Sequence, residues 1–347
     1  MSFDTFKNIH LINLFKNRYY VHLSIYFFCI YFQNMRFSNS LSCLNRFISN
    51  TRYLEHPENQ YLQLIRTILS SGTKQKTRNA TTYSLNGTMM RFPLRNRTFP
   101  LLTTKKMPSK TILNELIWFI RGQTSNQWLT ERRVHIWDKN TQVKEVQERN
   151  DKEGWPSYDL GPVYGHQWRY FNAPYNGCNQ DYDGKGVDQL QGILDGLMHE
   201  DEAVRHSRRW LMSAWNPCQI PMMALPPCHV LSHFILREDK YLDCIVYQRS
   251  GDVGLGVPFN IASYSALTHL IAHHTGHTAG DFIYMLGNAH IYEDHAEVLE
   301  KQTHLEPYPF PELRFESSYS DINTYDIQDM KLKFYVHHPK LEMEMTA

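Results

Sequence analysis

The chain is short of the features that mark several large classes of protein. Net charge is nearly absent, with 36 lysines and arginines against 35 acids and a formal balance of +1. No global basic field therefore points to nucleic acid. Cysteine is sparse, at six residues in 347 (Cys29, Cys43, Cys178, Cys218, Cys228 and Cys244), with no CxxC pair. That argues against a zinc ribbon or a disulfide framework and favours free thiols in a reducing compartment. P-loop, GxGxxG and internal repeat are all missing, so neither of the common glycine-rich phosphate cradles is present. The apolar run from Tyr19 to Phe32 falls short of the ~20 residues that a spanning helix requires. What is present is ordinary for a globular chain: 42% hydrophobic and 20% charged residues, enough for a real core in one large domain or two.

Acids are also missing from the start of the chain. Asp4 is the only one before Glu55, while Lys7, Lys16, Arg18, Arg36, Arg46 and Arg52 are basic. From Met35 the acid-free composition resembles a mitochondrial transit peptide, whereas the Tyr19–Phe32 run resembles a signal h-region without a small-residue cleavage site. Residues 1–55 are read as an N-terminal extension, targeting or disordered, and 56–347 as the folded domain. The expected location is the cytoplasm, with mitochondrial targeting by residues 1–55 as the alternative.

Within the domain, helical and strand periodicities are mixed. Pro57 and Glu58 open a segment with Leu62, Ile65, Ile68 and Leu69 on one face, closed by Gly72. Ser109 is placed to cap a second helix with Ile112, Leu113, Leu116, Ile117 and Ile120 as its stripe and Gly122 as its stop. Asp188 is placed to cap a third, carrying Leu190, Ile193, Leu194 and Leu197, and a fourth starts near Ile261. Strand patterns cover Trp210–Trp215, Val230–Leu236, Leu242–Gln248, Asp281–Leu286 and Leu332–Val336, the second and third joined as a hairpin through Arg237–Tyr241. Lys144–Pro156 and Asn172–Gly186 read as polar surface loops. Helices and strands do not alternate, so the pattern indicates an α+β fold rather than a doubly wound sheet.

The chemistry concentrates in Leu225-Pro226-Pro227-Cys228-His229 and, further on, Tyr247-Gln248-Arg249-Ser250-Gly251-Asp252. A thiolate is the sulfur nucleophile, and a neighbouring guanidinium favours it. The same arginine, with a hydroxyl beside it, suits a phosphate. Glu115 sits in the second helix at the border of the apolar stripe, where partial desolvation would raise its pKa and suit it to proton relay. Asn260 carries a carboxamide, which is able to donate and accept a hydrogen bond at once.

Several longer stretches stand in a fixed order around these residues: Thr103-Thr104-Lys105-Lys106, Asn114-Glu115-Leu116-Ile117-Trp118-Phe119, Asp159 to Arg169 (DLGPVYGHQWR), Ser213-Ala214-Trp215-Asn216, Gly254 to Tyr264 (GLGVPFNIASY) and His290-Ile291-Tyr292. Together they resemble a thymidylate synthase of the eukaryotic type from about His56 to the C-terminus. The resemblance implies a mixed β-sheet packed with helices, with sheets forming a dimer interface. It implies methylation of dUMP to dTMP, with 5,10-methylenetetrahydrofolate supplying carbon and hydride and leaving as dihydrofolate. Cys228 matches the nucleophile, with Glu115, Tyr164, Asn260 and Asp252 as further catalytic residues. Arg78, Arg208, Arg209, Arg249 and Ser250 match phosphate ligands, Arg208 and Arg209 reaching across from the partner subunit of a homodimer. His229, Gln248 and Asp252 match other parts of the nucleotide pocket, and His290 and Tyr292 the sugar 3′-hydroxyl. Lys105, Ile136, Trp137, Asp252, Leu255, Gly256, Phe259 and Ala347 match the folate side, Lys105 near its glutamate tail. No metal and no membrane partner is implied. The tail from Met343 to Ala347 resembles one that closes over the site and excludes water.

The chain departs from that pattern in four places. The stretch Thr77-Arg78-Asn79-Ala80-Thr81-Thr82-Tyr83 lacks two glycines usual there, so this loop is expected to differ in path or mobility. Ser207 replaces an acid before the arginine pair, Asn288 replaces a common aspartate before His290, and the tail ends in Thr-Ala. Two other readings are a pyrimidine nucleotide hydroxymethylase, against which Asn260 and Trp137 argue, and a catalytically silent RNA-binding member, against which the neutral charge argues.

Overall fold

The computed structural model describes residues 56–77 and 80–344. The expectations for residues 1–55, Arg78 and Ala347 lie outside them.

The first described element is α1 (Asn59–Ser71), whose Tyr61, Leu62, Leu64, Ile65 and Ile68 are buried. A hairpin follows, β1 (Thr73–Lys76) and β2 (Thr81–Pro93), closed where Thr77 N–H donates to Ala80 O at 2.9 Å. Helix α2 (Ser109–Ile120) is buried from Ile112 through Ile120. After it come α3 (Lys144–Glu153), α4 (Tyr164–Tyr170) and α5 (Gln189–Leu197), with short helical turns between. The second half supplies β3 (Leu211–Ser213), β4 (His229–Arg237), β5 (Tyr241–Asp252), α6 (Gly256–His274), β6 (Thr278–Tyr292) and α7 (Ala296–Gln302). A small antiparallel pair, β7 (Glu312–Phe315) and β8 (Met330–Lys333), ends the order.

Six strands form one mixed sheet in the order β1-β2-β6-β5-β4-β3. Every pairing is antiparallel except β5 with β6. Parallel neighbours require a crossover, and α6 provides it, packing on β5 and β6 with Ile261, Tyr264, Leu267 and Leu270 buried. This face of the sheet carries Met90, Phe92, Phe234, Val246, Phe282 and Tyr284 into the main core. Cross-strand partners share a face, and two rungs face the other way. One runs Leu211–His233–Ile245–Ile283–Arg91 and the next Ser213–Leu231–Tyr247–Met285–Met89. Of these, Leu211, Tyr247, Met285 and Met89 are 42, 44, 41 and 60% exposed.

The structure bears out the α+β class, the three helices read from their apolar stripes and the β4–β5 hairpin. That hairpin turns through the three residues Glu238, Asp239 and Lys240; the first two are at positive φ (56° and 49°), and Lys240 N–H closes the turn on Arg237 O at 3.0 Å. Other expectations are corrected. Lys144–Pro156 is not a loop, because Lys144–Glu153 is helical, buries Val146 and Asn150 and stops at Gly154 (φ 70°). Its polarity reflects a solvent-facing helix rather than a turn. Ser109 is the first residue of α2 and makes no cap bond; Pro108 precedes it. The fourth helix starts at Gly256, five residues early, with Pro258 in its first turn, where a missing N–H costs nothing. Trp210–Trp215 shortens to Leu211–Ser213, and the Asp281 strand lengthens to Thr278–Tyr292. The thirteen-residue β2 was not legible, because Asn86 and Gly87 interrupt its alternation.

Candidate active site

Cys228 stands immediately before β4, after two prolines that have no N–H to give to a ladder. Its own backbone is held twice: its N–H donates to Tyr164 Oη at 2.7 Å, and its carbonyl accepts from Arg249 N–H at 2.8 Å. The Arg249 guanidinium donates to the Pro226 and Pro227 carbonyls, both at 2.8 Å, and brings Nη2 to 3.7 Å from Cys228 Sγ. Burial pushes the Cys228 thiol up, and the Arg249 charge pulls it part of the way back. The simple expectation of an arginine-lowered thiol is therefore corrected: with no ligand bound, desolvation outweighs the guanidinium.

His229 opens β4 and stacks on Tyr164, ring centroids 4.0 Å apart at 14°. Its Nδ1 pairs with Tyr264 Oη at 2.6 Å. Burial pushes its pKa down to about 3, so the ring is neutral at physiological pH. Phe119 from α2 packs on both rings, 4.9 Å from Tyr164 and 5.9 Å from His229. Across the ladder His229 faces Gln248, whose Nε2 donates to Ser250 O at 2.8 Å and whose Oε1 accepts from Tyr284.

Glu115 projects from the middle of α2 and is buried. Trp137 Nε1 donates to Glu115 Oε1 at 2.8 Å. Burial raises the carboxyl to about 7, against the opposing pull of that indole. Trp137 lies 6.2 Å from Tyr164, edge-on. A continuous run of contacts thus joins Glu115, Trp137, Tyr164 and Cys228, with an acid titrating near neutrality at one end and a thiol at the other.

The C-terminal end of β5 builds a second group. Asp252 Oδ1 accepts from Gly254 N–H at 2.8 Å and Leu255 N–H at 3.3 Å, fixing the turn into α6. Burial raises its pKa, with His290 and His295 opposing. Asp252 and Ser84 flank His290 across the sheet, on β5 and β2. His290 Nδ1 meets Asn288 Oδ1 at 3.1 Å, and Tyr292 stands edge-on to its ring at 5.4 Å. Ser250 and Asn260 are half-buried, and no hydrogen bond of their side chains is found among the described residues. Ile136, Leu255, Gly256 and Phe259 are half-buried as well. Lys105 is placed differently from the expectation of a basic group near an anionic tail. It is buried, donates from Nζ to Gly254 O at 2.5 Å, and burial lowers it to about 8. The end of the described chain rests here too: a methyl at Gly254 would lie 3.3 Å from Met343 Sδ, and His295 Nε2 meets Glu344 O at 2.8 Å.

Arg208 and Arg209 lie in the turn before β3, not in the strand, and both are exposed. Among the described residues neither side chain has a hydrogen-bonding or ionic partner, and neither is linked to the Cys228 group. They sit beside the outward-facing rungs of the sheet. Among the described residues no cluster of three or more His, Cys, Asp or Glu side chains is placed to hold a metal ion, and no helix is long and apolar enough to cross a membrane.

Sequence reasoning missed several contributors. Tyr264 lies buried within α6, and its hydroxyl holds His229. Tyr284 holds Gln248, and Asn86 holds Asn288 at 2.8 Å. Each acts across long sequence separations, so no local pattern marks it.

Fold and site define an α+β protein with a backbone-pinned cysteine thiol, a buried carboxyl titrating near neutrality and an aromatic wall between them. Comparison with known proteins agrees. The chain belongs to the thymidylate synthase family, whose signature spans residues 59–347. It is 46% identical to human thymidylate synthase over 296 residues, covering 84% of this chain and 91% of the human protein. Against the Agaricus bisporus thymidylate synthase it is 45% identical over 303 residues, covering 84% of this chain and all of the mushroom protein. It is also 45% identical to the bifunctional dihydrofolate reductase-thymidylate synthase of Leishmania major, covering 84% of this chain and 56% of that protein. The chain spans only about half the length of such bifunctional relatives.

Proposed function

We propose that the protein methylates dUMP to dTMP, taking the carbon and a hydride from 5,10-methylenetetrahydrofolate and releasing dihydrofolate. The observation that carries this reading is the run Cys228–Tyr164–Trp137–Glu115, a pinned thiol and a near-neutral carboxyl joined through one aromatic wall. Uracil C5 is a poor nucleophile. Bonding of Cys228 Sγ to C6 sends the C5–C6 π pair into a C5 enolate, which attacks the methylene carbon. The C5 proton then leaves as the bond from the methylene carbon to the folate nitrogen breaks, giving an exocyclic methylene. Hydride from the tetrahydrofolate so freed reaches that carbon, leaving dihydrofolate, and the returning ring pair breaks the S–C6 bond and expels Cys228 as thiolate. Glu115 moves protons at the ring. Asn260 and Gln248 hold the uracil edge, and the neutral His229 with Tyr164 shapes the pocket wall. Arg249 and Ser250 take the phosphate with Arg78, and Arg208 and Arg209 reach it from a second copy. Trp137, Ile136, Leu255 and Phe259 offer the folate an apolar wall with the Asp252 carboxylate at its edge. Lys105 holds the Gly254 turn on which Met343 rests.

The homodimer in this reading is supported by the outward sheet face, where Met89, Tyr247, Met285 and Leu211 stand exposed in adjacent rungs. Contiguous exposed apolar surface of this kind marks an interface. Incubation with dUMP and methylenetetrahydrofolate tests the reaction by dihydrofolate absorbance. Wild type is expected to form dihydrofolate in step with dTMP, and Cys228→Ala to form none. Hydroxymethyl product without dihydrofolate would replace the methylation reading, and equal activity in Cys228→Ala would end it.

A further inference from the structure

His290 has one ring nitrogen engaged and one open. Nδ1 meets Asn288 Oδ1 at 3.1 Å, while Nε2 has no hydrogen-bond partner among the described residues. Asn288 is itself held: its Nδ2 donates to Asn86 Oδ1 at 2.8 Å. The two asparagines are direct cross-strand partners on β2 and β6, and Ser250 flanks Asn288 on the other side, on β5. A carboxamide whose nitrogen is committed presents its oxygen to its other neighbour. An oxygen facing Nδ1 accepts only if Nδ1 carries the proton.

We propose that Asn86 and Asn288 form a positioning relay that fixes His290 as the neutral Nδ1–H tautomer and leaves Nε2 as a bare acceptor for a ligand hydroxyl. The relay rests on the reading above, in which His290 meets the sugar 3′-hydroxyl of a pyrimidine nucleotide. That hydroxyl then donates to Nε2, and a nucleotide without it has nothing to offer. The uncharged carboxamide at 288 is the point of the device. The charged and titratable groups facing His290 are Asp252 across the β5 rung, Tyr292 edge-on, His295 beyond Tyr292 and Lys105 behind Asp252 at Gly254. Burial lowers the His290 pKa and favours the neutral ring, with the Asp252 carboxylate pulling the other way. A second carboxylate at 288 would reinforce that pull and put a proton on Nε2, turning the acceptor into a donor.

Two measurements on the full chain separate the relay from the ligand reading. The first is nitrogen-15 NMR of histidine-labelled protein, with His290→Gln used to assign the signal. Wild type is expected to show Nδ1–H, Asn288→Ala and Asn86→Ala a mixture of tautomers, and Asn288→Asp a titration displaced upward by roughly one unit or more. An Nε2–H ring in wild type, or an unmoved titration in Asn288→Asp, overturns the relay whatever the ligand. The second is nucleotide affinity. Asn288→Ala is expected to weaken dUMP roughly 2- to 12-fold, the worth of one hydrogen bond, and 2′,3′-dideoxyuridine monophosphate less than twofold. Equal losses for both nucleotides overturn the role toward the 3′-hydroxyl. An intact tautomer lock in a protein that binds neither nucleotide would overturn the dUMP reading and leave the relay standing.

Discussion

At the scale of the residue, Glu115 is set against the stability of its own fold. Its carboxyl is raised from 4.5 to about 7 by burial. A raised acid contributes fully below its unfolded pKa, and that contribution is lost as the pH rises through the folded value. By pH 8 the buried charge costs on the order of 3 kcal/mol. Glu115→Gln keeps an oxygen for the Trp137 indole and removes the charge. Its unfolding free energy, measured in urea, is expected to exceed wild type by about 2–3 kcal/mol at pH 8 and to match it near pH 4. Its rate of dTMP formation is expected to fall by roughly a hundredfold or more. A variant no more stable than wild type at pH 8 would show that the carboxyl is not held in the way described.

At the scale of the element, the site depends on how closely α4 approaches the end of α2. A methyl on Gly165 would lie 2.6 Å from Gln123 O and 2.9 Å from Gln123 N, both backbone atoms. Gly165→Ala is therefore expected to cost about 1–3 kcal/mol and to displace the adjacent Tyr164 from Cys228. Gly192 in α5 has nothing within 4 Å of the same added methyl, so Gly192→Ala should gain up to about 1 kcal/mol from helix propensity. Thermal melts of the two variants check the contrast, and similar shifts would contradict it. The elements divide in the same way over what their sequence disclosed. α1, α2 and α5 announce themselves because one face of each is apolar at helical period. α3 did not, since a helix lying mostly in water has the composition of a loop. β2 did not, since its apolar positions gather at Met90 and Phe92 while Asn86 and Gly87 break the alternation. Cys228 and Arg249 stood out from residue chemistry beside short motifs, and Asp252 only through the family resemblance. The burial that raises Cys228 and takes Lys105 inside did not, because it is made by segments far away in the chain.

At the scale of the whole molecule, the proposed dimer would complete each site from a second copy, through the exposed sheet face and through Arg208 and Arg209, whose side chains have no partner among the described residues. Met285→Lys, at the centre of that face, is expected to convert dimer to monomer in sedimentation experiments and to lose activity with it. Chains carrying Cys228→Ala, mixed with chains carrying Arg208→Ala and Arg209→Ala, are expected to regain activity that neither parent has. A fully active Met285→Lys monomer would refute the shared site. The rung Ser84–His290–Asp252 has a consequence for the order of folding. Its strands are brought together from distant parts of the chain, and such closures are slow compared with local contacts. β6 is also synthesised after β4 and β5. A growing chain therefore holds Cys228 and Arg249 before it holds His290, so the thiol and its guanidinium neighbour are made before the strand that completes the far end of the site.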